Sequence, residues 1–588
     1  RDTAERQFRE AGFAPDNPLI AKFLDLYCVI RDLPRHLGQH SGGMVICEGQ
    51  LDSVVPLEPA TMPGRVVIQW DKDDCADLGI IKVDLLGLGM MAVLEDSIQI
   101  IRDAYHEDVD LAQLPQDDPL VYAALQNADT IGLFQVESRA QMSCLPRLQP
   151  KRFYDIVVQV AIIRPGPIVG KMLNPFLRRR QGREAAECLH PSLEPVLRRT
   201  LGVPLFQEQL LRMAMIVANF TGGEAEELRR AMGFKRSEAR MREIETRLRS
   251  GMDRNGITGK AQEAIVQSIT AFALYGFPES HAASFALIAY ASAYLKCRYL
   301  AAFTAAILNN QPMGFYAPAT LVKDAQRHGL HFKPIDVTRS DWRCTVEDYN
   351  GEHWVRLGMN YVKGLREQAA QAILDARAQA PFNSIQDLVD RSPELRKDEL
   401  RKLSEIGALN FITADPIHRR AALWDSELAI RPRGPLFTAD DPATEQPLAQ
   451  MSATDRLNAD FRGTHLTIGS HPMRFHREKL KALGVTPANQ LHNIRNGWPV
   501  RIAGCIICRQ RPGTAKGLLF ISMEDETGVS NAVVMPDVFD RERTTILNNA
   551  YLVIEGEMQN IDNVRTVRAE RFEPLSVAEE AVPSHDFH

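Results

Sequence analysis

The chain reads as a multi-domain α+β protein, and three observations predict it. Its 588 residues, 45% of them apolar, give room for about four domains at the usual ~150 residues each. A long central stretch carries its apolar residues at helical spacing. Near the C-terminus, five short alternating runs are interrupted once by a helical one. No run of about 18 uncharged apolar residues occurs, and the opening Arg1-Asp2-Thr3-Ala4-Glu5-Arg6 has no apolar signal core, which predicts a cytoplasmic protein without a membrane partner. Nine cysteines are scattered along the chain, and Cys505 and Cys508, the single pair at CxxC spacing, lack the further ligands of a zinc site. They read as strand residues in a reducing compartment. Position 1 is not Met, so the sequence is expected to be a fragment without its N-terminal part.

Residues 1–35 read as helices, with Pro18 to Tyr27 apolar at helical spacing. Residues 36–89 are β-rich: a Gly-rich turn enters a strand at Met44-Val45-Ile46, and a second strand, Arg65 to Trp70, leads towards Ile80 to Leu88, so that one small sheet is expected. From 90 to 350 the pattern is mostly helical, including one amphipathic segment from Glu224 to Arg249 and one apolar helix from Ala282 to Asn309. In 351–415, short helices meet at glycine-containing turns, Lys363-Gly364 and Gly407. That is the pattern of helix-hairpin-helix modules, whose turns bind DNA phosphates, and equally of a plain αα-hairpin. Residues 416–495 are a Pro-rich linker with connecting helices. In 496–575, three strands, a helix and two strands give the order of an OB-fold barrel, on which Phe520 is either a stacking residue or core. A tail, 576–588, follows.

Asp84 is an ionisable group in what reads as a buried strand. Alternation sets Lys82 on its face of the strand, with Ile81, Val83 and Leu85 opposite. A charge there needs compensation. A structural Lys-Asp pair satisfies that need, and so does a metal or a phosphate. Although the net charge is -6, ten Lys/Arg stand against two acids between Arg139 and Glu184. Within this basic run Arg164-Pro165-Gly166-Pro167 forms a rigid turn, with Lys171, Arg178, Arg179 and Arg180 following it. A solvated face and a phosphate-binding face are both compatible with it. Arg229 and Arg230 lie together on a helix opened by Gly222-Gly223, where they can reach one polyanion. Tyr275-Gly276-Phe277-Pro278 turns into Ser280 and His281 at the start of an apolar helix, a place suited to an anion or to a simple cap.

These motifs resemble the bacterial C-family DNA polymerases, the α subunit of DNA polymerase III and its paralogues. Lys82 to Leu88 looks like the strand bearing the third palm carboxylate. Thr130 to Ser138 and Ile163 to Pro167 resemble the start of the fingers, Arg229-Arg230 the arginines that meet the incoming triphosphate, and Tyr275 to Phe285 the nucleotide-facing loop and helix. The resemblance covers essentially the whole chain. It implies the end of a thumb in 1–35, a partial polymerase palm sheet in 36–89, large helical fingers in 90–350, the helix-hairpin-helix module in 351–415 and an OB-fold near the template in 496–575.

The resemblance further implies nucleotidyl transfer by two Mg²⁺ ions, with Asp84 as metal ligand and catalytic residue, Lys82 beside it as a phosphate contact, and primer-template DNA and deoxynucleoside triphosphates as substrates. The family's Asp-x-Asp pair is not found before Asp84 and is expected upstream. Pro278-Glu279 stands where the replicative subunit usually has Asn-Lys. A Gln-x-x-Leu-Phe clamp motif is missing, and Gly434 to Phe437 is the nearest approach to one. Both features are similar to the error-prone, damage-inducible paralogue of translesion synthesis, which implies accessory mutagenesis proteins and, through them, the sliding clamp as partners. A DNA-binding scaffold without catalysis and the replicative polymerase are the alternatives, and the fragment alone is expected to bind DNA without synthesis.

Overall fold

The structure, a computed structural model, describes residues 5–6, 8–9, 11–14, 17–30, 33, 42–60, 64–163, 169–233, 238–273, 277–431, 448–512, 515, 517–575, 577 and 584–587. It divides into two units, residues 1–88 and 89–588.

In the first unit Pro18 opens the helix Pro18–Ile30, where its fixed φ and missing N–H cost nothing, and the Asn17 side chain accepts the Leu19 N–H at 3.0 Å. Strands β1 (Gly43–Ile46) and β4 (Ile81–Asp84) pair antiparallel, with Gly43 opposite Asp84 and Ile46 opposite Ile81. The expectation that Arg65 to Trp70 joins this sheet is corrected. Its strand, β3 (Val66–Ile68), pairs with β2 (Leu57–Pro59) in a separate hairpin closed by Ala60 N–H to Arg65 O at 3.0 Å. The nearer partner along the chain takes the edge. Nor is the Asp84 strand buried within this unit: Ile81 is 62% exposed.

The second unit holds three helical cores and a barrel. The helix Phe153–Ile162 is buried nearly all round against the alanine-rich face of Glu279–Arg298, where Ala282, Ala286, Ala289 and Ala293 let the two backbones approach. The expected single helix from Ala282 to Asn309 is two. Tyr299 leaves the helical conformation, its ring edge-on to Tyr105 and its hydroxyl donating to Glu107 at 2.5 Å, and Leu300–Asn309 begins after it. The segment from Glu224 to Arg249 likewise divides into Gly222–Gly233 and Glu238–Arg254. With Gln207–Ala218 and Gly259–Ala273 they enclose a second core around Met213, Leu248 and Ile269.

Helices Glu367–Gln379, Ile385–Arg391, Lys397–Ile406 and Arg419–Ala429 form the hairpins. Their core is continuous with Ala305 and Val322 of the helical body and with a small sheet of β5 (Phe332–Lys333), β6 (Thr345–Tyr349) and β7 (Glu352–Arg356).

The barrel comprises β8 (Pro499–Gln510), β9 (Leu519–Glu524), β10 (Val529–Val534), β11 (Tyr551–Ile561) and β12 (Val564–Pro574). β12 runs parallel to β10, and β11 closes on β8 with Tyr551 opposite Cys505. At the bulge of β11 a Cβ on Gly556 would lie 2.0 Å from the Arg568 carbonyl oxygen, so no larger residue lets the strand turn the barrel corner. Helix Pro536–Asn548 covers one end with Val538, Phe539 and Ile546. Cys505 and Cys508 are buried free thiols in β8, and burial pushes the Cys508 thiol up to about 12. An unexpected strand, β13 (His585–Phe587), lies parallel to β8 where a tail was expected. Among the described residues no helix is long and apolar enough to cross a membrane.

Candidate active site at the start of helix Glu279–Arg298

Two motifs far apart in sequence meet here. Phe206 and Phe277 pair as a parallel bridge, and the Gln207 N–H donates to the Phe277 carbonyl at 3.1 Å. The neighbouring turn is held from inside. Gln209 Oε1 accepts the N–H groups of Leu205 and Phe206 at 2.8 and 3.1 Å, while its amide nitrogen donates to Val196 O and Thr200 Oγ1. Glu208 accepts the Glu279 N–H at 2.9 Å, satisfying one donor of the first helical turn.

Glu279 is anchored as well: it accepts the Tyr154 hydroxyl at 2.9 Å and stands 3.8 Å from Arg199, whose guanidinium lies 3.8 Å above the Tyr154 ring. Burial, then the hydrogen bond to Glu279, raises the Tyr154 hydroxyl. The anion at 279 therefore ties the helix start to the core helix Phe153–Ile162. Beyond it Ser280, His281, Ser284 and the 60% exposed Leu287 face outward. The His281 ring packs between Phe277 and Phe285, with centroids 4.9 and 4.2 Å away, and Phe285 meets Phe134 edge-on at 5.2 Å. The result is an imidazole fixed by aromatic rings at a helix N-terminus, a place where a phosphate is favoured.

Phe134 belongs to the Thr130 to Ser138 motif, which proves to be a compact turn around Glu137. That carboxylate accepts N–H groups from Gly132 and Phe315, both at 2.9 Å, and burial pushes it up to about 7.

The other expected site residues are distributed as follows. Asp84 ends β4, with Lys82 exposed two residues before it on the same strand. Arg229 and Arg230 lie in helix Gly222–Gly233 and Lys171 in helix Val169–Arg180, each described through its backbone. Arg164 and Tyr275 fall outside the described residues. Arg178 is exposed, whereas Arg180 donates to Asp155 at 2.6 Å and Arg179 to Glu184 and the carbonyls of Glu187 and Leu201. Lys363 and Gly364 form an exposed turn with φ +84° at the glycine. Gly407 caps Lys397–Ile406 at φ +85°, and its N–H is engaged with the carbonyls of Leu403 and Ser404, so it contributes the turn's shape and not a free donor.

Sequence reasoning missed Tyr154, Arg199 and Glu208, whose roles depend on contacts across the chain. It also missed one metal-like cluster. Among the described residues, Asp129, Asp324 and His328 bring ligand atoms within 4.8 Å of one another. The chemistry does not fit a cation. His328 offers Nε2 to Asp129 at 2.5 Å and Nδ1 to the Asp324 carbonyl at 2.8 Å, so both ring nitrogens face acceptors, and Lys296 Nζ stands 2.8 Å from Asp324 and 3.4 Å from Asp129. The hydrogen bond to Asp129 raises the imidazole. Burial alone would raise Asp129, but His328 and Lys296 outweigh it and hold the carboxyl at about 2. Two cations already balance two carboxylates.

Family models match at residues 1–87 (bacterial DNA polymerase III alpha NTPase domain), 90–256 (bacterial DNA polymerase III alpha subunit finger domain) and 329–422 (helix-hairpin-helix motif). The chain is 45% identical over 586 residues to Error-prone DNA polymerase 2 of Rhizobium meliloti (strain 1021), covering 97% of this chain and 53% of that protein. It is 46% identical over 600 residues to Error-prone DNA polymerase of Anaeromyxobacter dehalogenans (strain 2CP-C), covering 98% and 53%. A solved asparaginyl-tRNA synthetase from Pyrococcus horikoshii overlaps 17% of this chain and 24% of its own at 22% identity, with a TM-score of 0.15 that carries no argument. Over nearly its whole length the chain is thus similar to proteins named error-prone DNA polymerase, and residues 1–87 and 90–256 match domains of the bacterial DNA polymerase III alpha subunit. It spans about half the length of the curated relatives it matches.

Proposed function

We propose that this chain forms the nucleotide-facing and DNA-facing part of an error-prone DNA-directed DNA polymerase that extends a primer during damage tolerance. The observation that carries the reading is the meeting of residues 205–209 with 277–285, which presents Ser280 and His281 on an anchored helix start. In this reading the helical body serves as fingers. Ser280 and His281, with Arg229, Arg230 and Tyr275, receive the triphosphate. The Lys363-Gly364 turn and Arg178 contact duplex backbone, and the barrel lies near the template. Residues 36–89 are palm. Accessory mutagenesis proteins and the sliding clamp are the partners.

The chemistry such polymerases need is supplied by divalent cations, Mg²⁺ in this reading, which neutralise charge developing on the phosphates. In this reading Asp84, the last residue of β4, would hold one. Mg²⁺ prefers about six oxygens in octahedral geometry, and one carboxylate does not satisfy two such ions. In this reading Asp84 would therefore need further carboxylates beside it. What this chain's other residues do is position: Glu208 and Glu279 fix the helix start, and Phe277 and Phe285 hold the His281 ring.

Primer extension by a polymerase containing this chain tests the reading. Asp84→Ala should abolish extension, and His281→Ala should raise the nucleotide KM roughly tenfold with primer-template binding unchanged. Full extension by the Asp84→Ala variant would refute the assignment. If DNA is bound but never extended, the single carboxylate instead supports the non-catalytic scaffold.

A further inference from the structure

Between the barrel and the helical body lies a cavity of about 270 Å³, lined by Arg139, Arg327 and Arg565 and by the carboxylates Asp129 and Asp324. Each carboxylate has its own cation: Asp129 has His328 and Lys296, and Asp324 has Lys296. Arg327 pairs with Glu524 at 2.8 Å. Among the described residues, Arg139 and Arg565 have no carboxylate within ion-pair distance. Arg139 is the more telling of the two. It is half-buried, and the protein partner of its guanidinium is one hydroxyl, Thr566 Oγ1, at 2.9 Å. It is also the first residue of helix Arg139–Leu148, the end at which a cation is disfavoured. Burial pulls its guanidinium down to about 10. A guanidinium carries five N–H donors, and a single protein acceptor leaves the others for a ligand in the cavity that Arg139 lines.

We propose that this seam is a phosphate-binding site, in which Arg139 from the helical body and Arg565 from β12 close on one phosphate of a nucleotide. The chemistry of the lining extends to a base. Asn127 and Asn531 offer amides, and Ile131, Met142 and Val529 form an apolar wall. At about 270 Å³ the cavity lies just below the ~300 to 1,000 Å³ typical of small-ligand pockets, which limits it to no more than one nucleotide unit. The phosphate belongs either to a free nucleotide or to one residue of a DNA strand, and bound there it bridges the two arginines that face it across the seam. The site requires neither Asp84 nor any polymerase activity.

The test is thermal unfolding and calorimetric titration of the full chain with inorganic phosphate, dAMP, deoxyadenosine and oligothymidylate. Phosphate-bearing probes should raise the Tm, and deoxyadenosine should not. Arg139→Gln and Arg565→Gln should each weaken the binding roughly tenfold or more, as expected for losing charge-assisted hydrogen bonds. Binding of phosphate and dAMP assigns the site to free nucleotides, whereas binding of the oligonucleotide alone, lost in Arg139→Gln, assigns it to a strand. Because Arg139 is unpaired without ligand, Arg139→Gln should leave the Tm of the ligand-free chain unchanged or higher. A Tm shift that is equal with and without phosphate, or probe binding untouched by both variants, overturns the proposal. Arg565 is exposed, so its variant keeps the test valid if Arg139→Gln fails to fold.

Discussion

The hydroxyl of Tyr154 donates to Oε1 of Glu279 across 2.9 Å and 125 residues of sequence, joining a core helix to the first turn of the helix that carries His281. Removing it with Tyr154→Phe keeps the ring under Arg199 and deletes one charge-assisted hydrogen bond. Such bonds contribute about 1.5 to 3 kcal/mol, and because Glu279 is a third exposed the loss should fall near 1 kcal/mol. Urea unfolding measures it. Amide exchange at residues 279–282 should quicken in the same variant while exchange at 300–309 does not, since the tie acts on the helix start.

The Asp129–His328 pair makes stability pH-dependent. His328 is raised in the fold by its bond to Asp129, so its contribution is fully present below the unfolded value of ~6.5 and is lost as pH rises through the folded one. Asp129 is held at about 2, so its contribution is present above ~3.9 and lost as pH falls towards 2. The window of full strength is therefore about pH 4 to 6.5. The Tm should decline from pH 6 to pH 9, and more steeply than in a His328→Gln variant.

Why some features were legible in the sequence and others were not follows from the range of the interactions. The barrel's five strands and its inserted helix show locally as period-two runs broken by one helical run, and β8 to β12 with helix Pro536–Asn548 follow the expected order. Strand partners do not show locally. β3 carries the same kind of apolar run as β1, yet pairs with β2, and β13 contributes three residues to the edge of β8 from a segment with no strand pattern. Among the site residues, Ser280 and His281 were visible because a Pro announces a helix start. Glu208 and Tyr154 were not, because nothing near them in sequence shows that they meet Glu279.

Glu137 is buried, and each of its two oxygens accepts one backbone N–H. Glu137→Gln replaces one acceptor with an NH₂ group facing a donor, which leaves a buried N–H unsatisfied. That costs about 1 to 3 kcal/mol, read by urea unfolding at pH 8. Because burial raises this acid to about 7 from ~4.3, its ionisation costs stability as pH rises between those values, and the Gln variant should lose that slope.

Two glycines of the hairpin region should respond to Ala for different reasons. At Gly463 a Cβ would lie 2.2 Å from Ile406 Cγ2, and the Gly463 carbonyl accepts the Lys363 N–H at 2.7 Å. Gly463→Ala should overpack the contact at about 1 to 3 kcal/mol and loosen the Lys363 turn with it. Gly364 has open space around its Cβ position but φ +84°, so Gly364→Ala should cost about 1 to 2 kcal/mol through the backbone alone. Adding Ile406→Ala separates them: it should recover part of the loss in Gly463→Ala and none in Gly364→Ala.

The arginines at 178–180 look alike in sequence and differ in the fold. Arg180 is bound to the buried Asp155, so Arg180→Ala leaves that carboxylate without its closest cation. It should destabilise the protein by more than about 1 kcal/mol in urea unfolding. Arg183 and Arg147 are likewise directed to Asp562 at the tip of the β11–β12 hairpin, at 2.6 and 3.5 Å, and so give less to DNA than the basic run alone implies. Arg178 is exposed and free to meet a phosphate in the proposed DNA interface. Arg178→Ala should therefore leave stability within about 0.5 kcal/mol and lower the slope of log K against log salt for duplex binding by about one. An unchanged salt slope in Arg178→Ala would place the DNA elsewhere on the molecule.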